Sequence, residues 1–232
     1  MSITEMSPRT RIMVVVLQTG LIVALLGAVL FLSAGRLSWA NGWLLLAEWG
    51  TCAMTTSMLL MLRAPALMDA RRTNHDQAPA WDRRLVRAYQ LLFFPTFILS
   101  GLDERWDLSA PPGIVVALGV VGIAAFFVLV TWAPLANPFL ETYVRLQTER
   151  DHRVIEGGPY RFVRHPAYVG LALCYINVPL VLGSWWGLLP GVLAVLILAW
   201  RTQREDAFLR AELAGYAEYA GRVRARWIPG VW

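Results

Sequence analysis

Two stretches of this 232-residue chain hold side chains able to do chemistry. The first, 141–168, reads ETYVRLQTERDHRVIEGGPYRFVRHPAY, and the second, 200–227, reads WRTQREDAFLRAELAGYAEYAGRVRARW. In the first, Gly157-Gly158-Pro159 breaks the chain and His165-Pro166 opens a helix, with Pro166 at a favoured first-turn position. A helix start presents free N–H groups and a positive dipole end, so an anionic or polar group could dock there. Arg161 and Arg164 read as membrane-side anchors. In the second, Arg201 and Glu205 stand four apart on one helical face, with Asp206 adjacent. Alone, Arg201–Glu205 is a surface ion pair worth ~0.3–0.5 kcal/mol. A carboxylate pair facing a Gly-Gly-Pro, Arg-His-Pro loop asks for more than that.

The elements that must position these residues are apolar. Hydrophobic residues make up 57% of the chain and charged residues 16%, with a mean hydropathy of +0.49. A soluble domain carries roughly 25% charged residues. That excludes a soluble globular enzyme, a disordered tail and a nucleic-acid binder. The net charge of +5 comes from 21 Arg and no Lys, a balance suited to a membrane surface. Cys52 and Cys174 lie in apolar runs and form no zinc spacing, and three His are too few for a His-box di-iron site; no metal is expected. No Gly-rich strand–loop–helix fingerprint occurs, so no Rossmann-type nucleotide site is readable.

A bilayer core needs about 20 apolar residues per helix. Six segments qualify or nearly so: Ile12–Leu32, Trp43–Leu62, a short Leu85–Gly101 holding Pro95, Gly113–Leu135, and a short pair, Ala167–Leu182 and Trp186–Trp200, which read as a hairpin. The first is too long for a signal h-region and is expected to be retained. With the N-terminus cytoplasmic, the inner side holds two, six, five and six Arg, and the outer side only Arg36 and Arg105. The positive-inside rule therefore favours six segments with both termini cytoplasmic. Trp residues gather at segment ends, as an aromatic belt does. Asn137-Pro138 ends the fourth segment, residues 139–150 are predicted as a short surface helix, and Leu209, Leu213, Tyr216 and Ala220 mark an amphipathic interfacial helix. The expected architecture is an all-α integral membrane protein, with four helices over 1–136 and a catalytic region over 137–232. The hairpin brings both polar stretches to the cytoplasmic face.

The runs GPYRFVRHPAYVG (158–170), RTQRED (201–206) and GYAEYAGRVRARWIPG (215–230) resemble the isoprenylcysteine carboxyl methyltransferase family, within a wider set of membrane methyltransferases that includes phospholipid N-methyltransferases. The resemblance covers roughly 137–232. It implies S-adenosylmethionine bound at the cytoplasmic face without a Rossmann domain. By motif position it implies a cofactor site of Gln147, His152, Val154, Ile155, Tyr160, His165, Pro166, Ala167, Tyr168 and Glu205. It also implies that Arg201 is the catalytic residue holding a substrate carboxylate. Gln147 sits closer to His152 than in the animal enzymes, and the frequent Glu-Glu pair is Glu205-Asp206 here.

A carboxylate acceptor is ionised at pH 7 and needs no general base. Methyl transfer to it requires positioning and dehydration of two opposite charges. A lipophilic or prenylated acceptor would enter laterally from the bilayer, among membrane lipids. A lipid amine or small thiol as acceptor would instead make His152 or Asp206 a candidate base. An NADPH-dependent reductase of the sterol reductase type shares an RHP-type motif but continues differently after it. A non-catalytic membrane component is the third class. Glu48, inside the second segment, is read as structural or interfacial, and Asp69, Arg71, Arg72 and His75 could cap the cofactor pocket.

Overall fold

The computed structural model describes residues 2–71 and 78–232, and among them the chain is helical with no strand. Arg72 and His75 lie outside the described residues. Helix α1 (Pro8–Ala34) starts on Ser7, whose hydroxyl accepts from the Thr10 N–H at 3.2 Å, with Pro8 at the first position. It stops at Gly35, which takes the left-handed conformation (φ 69°) and donates its N–H to Phe31. Helix α2 (Ala40–Arg63) is followed by the single-turn-plus α3 (Pro65–Ala70).

The third apolar stretch is longer than Leu85–Gly101. Helices α4 (Ala80–Leu91) and α5 (Phe93–Trp106) run on from one another with an interruption at Leu92. Pro95 is the reason, because its ring opposes the Leu91 carbonyl and its nitrogen cannot bond to it. Helix α6 (Gly113–Ala136) ends before Asn137-Pro138, as its proline requires. By length and composition α1, α2, the α4–α5 pair and α6 can each cross a membrane. Helix α7 (Pro166–Val181) is a shorter apolar helix, and α8 (Leu188–Glu212) is apolar only as far as Trp200. The side chains they turn outward, Leu17, Leu21, Leu32, Leu118 and Val121 among them, are apolar and exposed, as a lipid-facing surface must be.

Two expected elements differ. Residues 139–150 form no surface helix; they run as irregular chain to a 3-10 turn at Thr148–Arg150. Polar side chains then satisfy the backbone: the Gln147 Nε2 donates to the Phe139 carbonyl (2.6 Å), and Arg150 donates to the Pro138 carbonyl. The amphipathic stretch is two pieces, the end of α8 and α9 (Tyr216–Arg222), broken at Gly215 (φ 80°). Its apolar stripe packs inward: Leu213, Tyr216 and Ala220 bury against Ala133 and Tyr160.

The interior is built around Trp49, whose ring meets Phe93, Phe97, Phe126 and Phe127 at centroid distances of 5.3–6.3 Å. Both ends of the chain lie at one pole. The Ile3 N–H donates to Asp69 after α2, the Arg71 Nε donates to the Leu140 carbonyl, and the Arg164 and His165 N–H groups donate to the Ala225 and Arg226 carbonyls. The opposite pole holds the α7–α8 turn, where Asp103 accepts from the Ser184 and Ser109 hydroxyls.

Candidate active site

Helices α7 and α8 form the hairpin foreseen from the sequence, and at the pole of the termini it meets the loop 137–165 around a cavity. Its empty space, the open mouth included, is about 780 Å³. Ten of the side chains singled out above line it: His152, Val154, Ile155, Tyr160, His165, Pro166, Ala167, Tyr168, Arg201 and Glu205. Gln147 does not; it is buried just behind, clamping Phe139 and taking a hydrogen bond from Arg150. Asp69 and Arg71 brace the N-terminal segment and Leu140 and do not line the cavity.

Helix periodicity explains the wall. His165 ends the loop and Tyr168 sits one turn into α7, so their rings stack nearly parallel, 8° apart with centroids at 5.7 Å. The Tyr168 hydroxyl donates to Glu205 Oε2, and Glu205 Oε1 lies 3.9 Å from His165 Nδ1. Across the cavity, His152 packs on Phe139 at 4.7 Å. Burial first, and the Arg145 guanidinium second, push His152 below its ordinary value, so it is a neutral imidazole at pH 7. Tyr160 is buried, with its hydroxyl beside the Asn137 side chain and, among the described residues, no closer polar partner. A buried hydroxyl so loosely satisfied, on the cavity wall, is an available donor or acceptor.

Arg201 pairs with Asp82 rather than with Glu205. Its Nε donates to Asp82 Oδ1 at 2.7 Å, and its Nη2 donates to Asp82 Oδ2 (3.3 Å) and the Thr142 carbonyl (2.7 Å). Asp82 was invisible in an Arg-rich run, yet it shares the α4 face of Leu85, Val86 and Tyr89, all buried. That i, i+3, i+4, i+7 spacing was the available signal.

Arg164 is not a surface anchor. It is 4% exposed and grips Asp206 with two bonds, 2.7 and 3.0 Å, while donating to the Val223 and Arg224 carbonyls. Asp206 also accepts from Tyr216 (3.0 Å), Arg210 and Arg226. Burial alone would raise the Asp206 carboxyl, but the hydrogen bonds and charges of His165 and Arg164 outweigh it and hold the group far below the usual carboxylate range. Asp206 is thus a permanent anion that locks the RHP loop, α8 and the tail together. Glu205, its neighbour on the next face, is the one that reaches the cavity.

Residues 114–214 match the phospholipid methyltransferase family model. The cobalt-zinc-cadmium resistance protein CzcN of Cupriavidus metallidurans is 30% identical over 139 residues, which span 56% of this chain and 58% of that protein. The chain thus covers less than two thirds of that relative's length. The matched region runs from α6 through the cavity loop and the hairpin to the end of α8, so it contains almost the whole cavity wall. Over residues 114–214 this integral membrane protein is thus similar to the phospholipid methyltransferase family.

Proposed function

We propose that the cavity binds S-adenosylmethionine and that the chain methylates a carboxylate on a lipophilic, isoprenylcysteine-like acceptor arriving from the bilayer. One observation carries the reading: Arg201 and Glu205 of α8 stand with Tyr168 of α7 and His165, which precedes it, in a single cavity. The side chains fit the cofactor. The cavity-lining Tyr160 hydroxyl and the Oε1 of Glu205 suit its ribose and ammonium groups, and the Phe139–His152 pair offers ring surface. When bound, S-adenosylmethionine supplies an electrophilic methyl group on a cationic sulfonium. Glu205 accepts hydrogen bonds from the donors of the bound cofactor. Arg201 orients the acceptor carboxylate, a task its planar fork suits better than an ammonium would. No residue need remove a proton, since the acceptor is already ionised. The apolar lining excludes water from two charges that cancel as the methyl moves. By the positive-inside rule we place this pole at the cytoplasmic face.

A second acceptor class has support of its own. Neutral His152 could accept a proton, as a lipid amine or thiol would require, and the matching family is described by its phospholipid substrates. The test is purified protein with labelled S-adenosylmethionine and a panel of N-acetyl-S-farnesylcysteine, phosphatidylethanolamine and a small thiol. The account expects label on the farnesylcysteine, released as methanol by alkali. Label on phosphatidylethanolamine alone moves the acceptor to an amine. No label on any acceptor, with thermal stabilisation by NADPH and none by S-adenosylhomocysteine, replaces the methyltransferase with a reductase.

A further inference from the structure

We propose that Asp82 is the positioning residue of the acceptor site: it fixes the plane of Arg201 so that the remaining Nη1 donors face the cavity. The inference rests on the methyl-transfer reading of that cavity, and it lies outside the 114–214 match. Asp82 is wholly buried on α4, and its carboxylate serves three donors. Oδ1 takes Arg201 Nε, and Oδ2 takes Arg201 Nη2 and the Val144 N–H at 2.8 Å. A guanidinium has five N–H bonds in one rigid plane. Asp82 and the Thr142 carbonyl use the Nε bond and both on Nη2. Tyr168 and Tyr89 cover the group at 5.0 and 5.9 Å from their ring centroids. With one edge pinned and the rings in contact, the plane cannot turn, and Nη1, which makes no hydrogen bond among the described residues, is the edge left for a ligand.

The same carboxylate holds Val144, which with Tyr143 and Arg145 forms one lip of the cavity. Asp82 therefore sets the distance between the acceptor donor and the loop that borders the cofactor side. It also cancels the charge of Arg201. Without it a buried guanidinium would stand uncompensated, whether or not an acceptor is present. The site then offers an acceptor two directed hydrogen bonds from a pair already neutralised. A filler ion pair would have no such directional consequence, and that difference is measurable.

The experiment uses the full chain in detergent. It compares wild type, Asp82→Asn, Asp82→Glu, Arg201→Gln and the Asp82→Asn/Arg201→Gln double variant. S-adenosylhomocysteine affinity is read by calorimetry, and KM and kcat with N-acetyl-S-farnesylcysteine. Asp82→Asn is expected to keep S-adenosylhomocysteine affinity within about threefold and to lose roughly 100-fold in acceptor kcat/KM, the scale of a misplaced reacting group. Asp82→Glu should recover part of that loss. The double variant, which leaves no lone buried charge and so survives if Asp82→Asn does not fold, should be no worse than Arg201→Gln, because the pair acts as a unit. Equal loss of cofactor affinity and acceptor turnover in Asp82→Asn, an unchanged acceptor kcat/KM, or additive losses in the double variant each overturn the proposal. Wild type that binds no S-adenosylhomocysteine fails one stage earlier, on the reading of the cavity itself, and takes this role with it.

Discussion

Adjacent acids in the RED motif have opposite duties. Asp206 is spent on structure: Arg164, Arg210, Arg226 and Tyr216 all donate to it, and it is 1% exposed. Removing one side of such a buried pair costs about 3–5 kcal/mol. Asp206→Asn should therefore lower the unfolding temperature by several degrees in detergent. The sign with pH follows from its depressed folded value. Its stabilisation is complete above the ordinary carboxylate range near ~3.9 and shrinks as pH falls below it. Unfolding temperatures measured from pH 7 down to pH 3 should fall for wild type, and less steeply for Asp206→Asn. Glu205, by contrast, is the acid we propose as a cofactor ligand, and its loss should leave the fold alone. That His165, Tyr168 and Glu205 line one cavity was legible through the family resemblance of their motifs and the hairpin that joins them. Arg164 and Asp82 were not. Each sits in an Arg-rich stretch whose composition reads as solvated, and only tertiary burial reveals a partner 42 residues away for the one and 119 for the other.

The α7–α8 hairpin is the element that makes two distant motifs into one site, and its tightness is specified by glycine. A Cβ on Gly191 would stand 2.4 Å from the Tyr175 carbonyl oxygen, a backbone atom that cannot rotate aside. Gly191→Ala must push α8 from α7, at a cost of about 1–3 kcal/mol. It should lower both thermal stability and S-adenosylhomocysteine affinity, since His165 and Glu205 part with the helices. Gly20→Ala, inside α1 where a Cβ meets nothing within 4 Å, is the control and should lower neither. The hairpin itself could be read from two short apolar runs and the Arg count. The loop 139–150 could not, because its helical propensity lost to the Gln147 and Arg150 side chains, which clamp the Phe139 and Pro138 carbonyls in a way no periodicity encodes. The same holds for the stripe Leu209–Leu213–Tyr216–Ala220. Its spacing announced a buried face, but Gly215 splits the helix and the face covers the cavity, where lipid was expected.

At the scale of the molecule, an apolar helical body has its polar chemistry gathered at one pole, together with both chain ends. Composition and hydropathy made that architecture readable, since few other structures satisfy the backbone in lipid. Which pole faces the cytoplasm follows from charge bias alone, and labelling tests it. In a variant lacking the native cysteines, Ala110→Cys should react with an impermeant maleimide added outside intact cells, and Val231→Cys only after lysis. The reverse pattern inverts the topology. The claim on which the enzyme depends is that two motifs, 37 residues apart at Tyr168 and Glu205, close on one cofactor. Calorimetric titration of S-adenosylhomocysteine into the purified chain tests this most directly. Wild type should bind, and Glu205→Ala should bind at least ~10-fold more weakly, the worth of a charged hydrogen bond, with its unfolding temperature unchanged. Equal affinity in the two proteins would contradict the account.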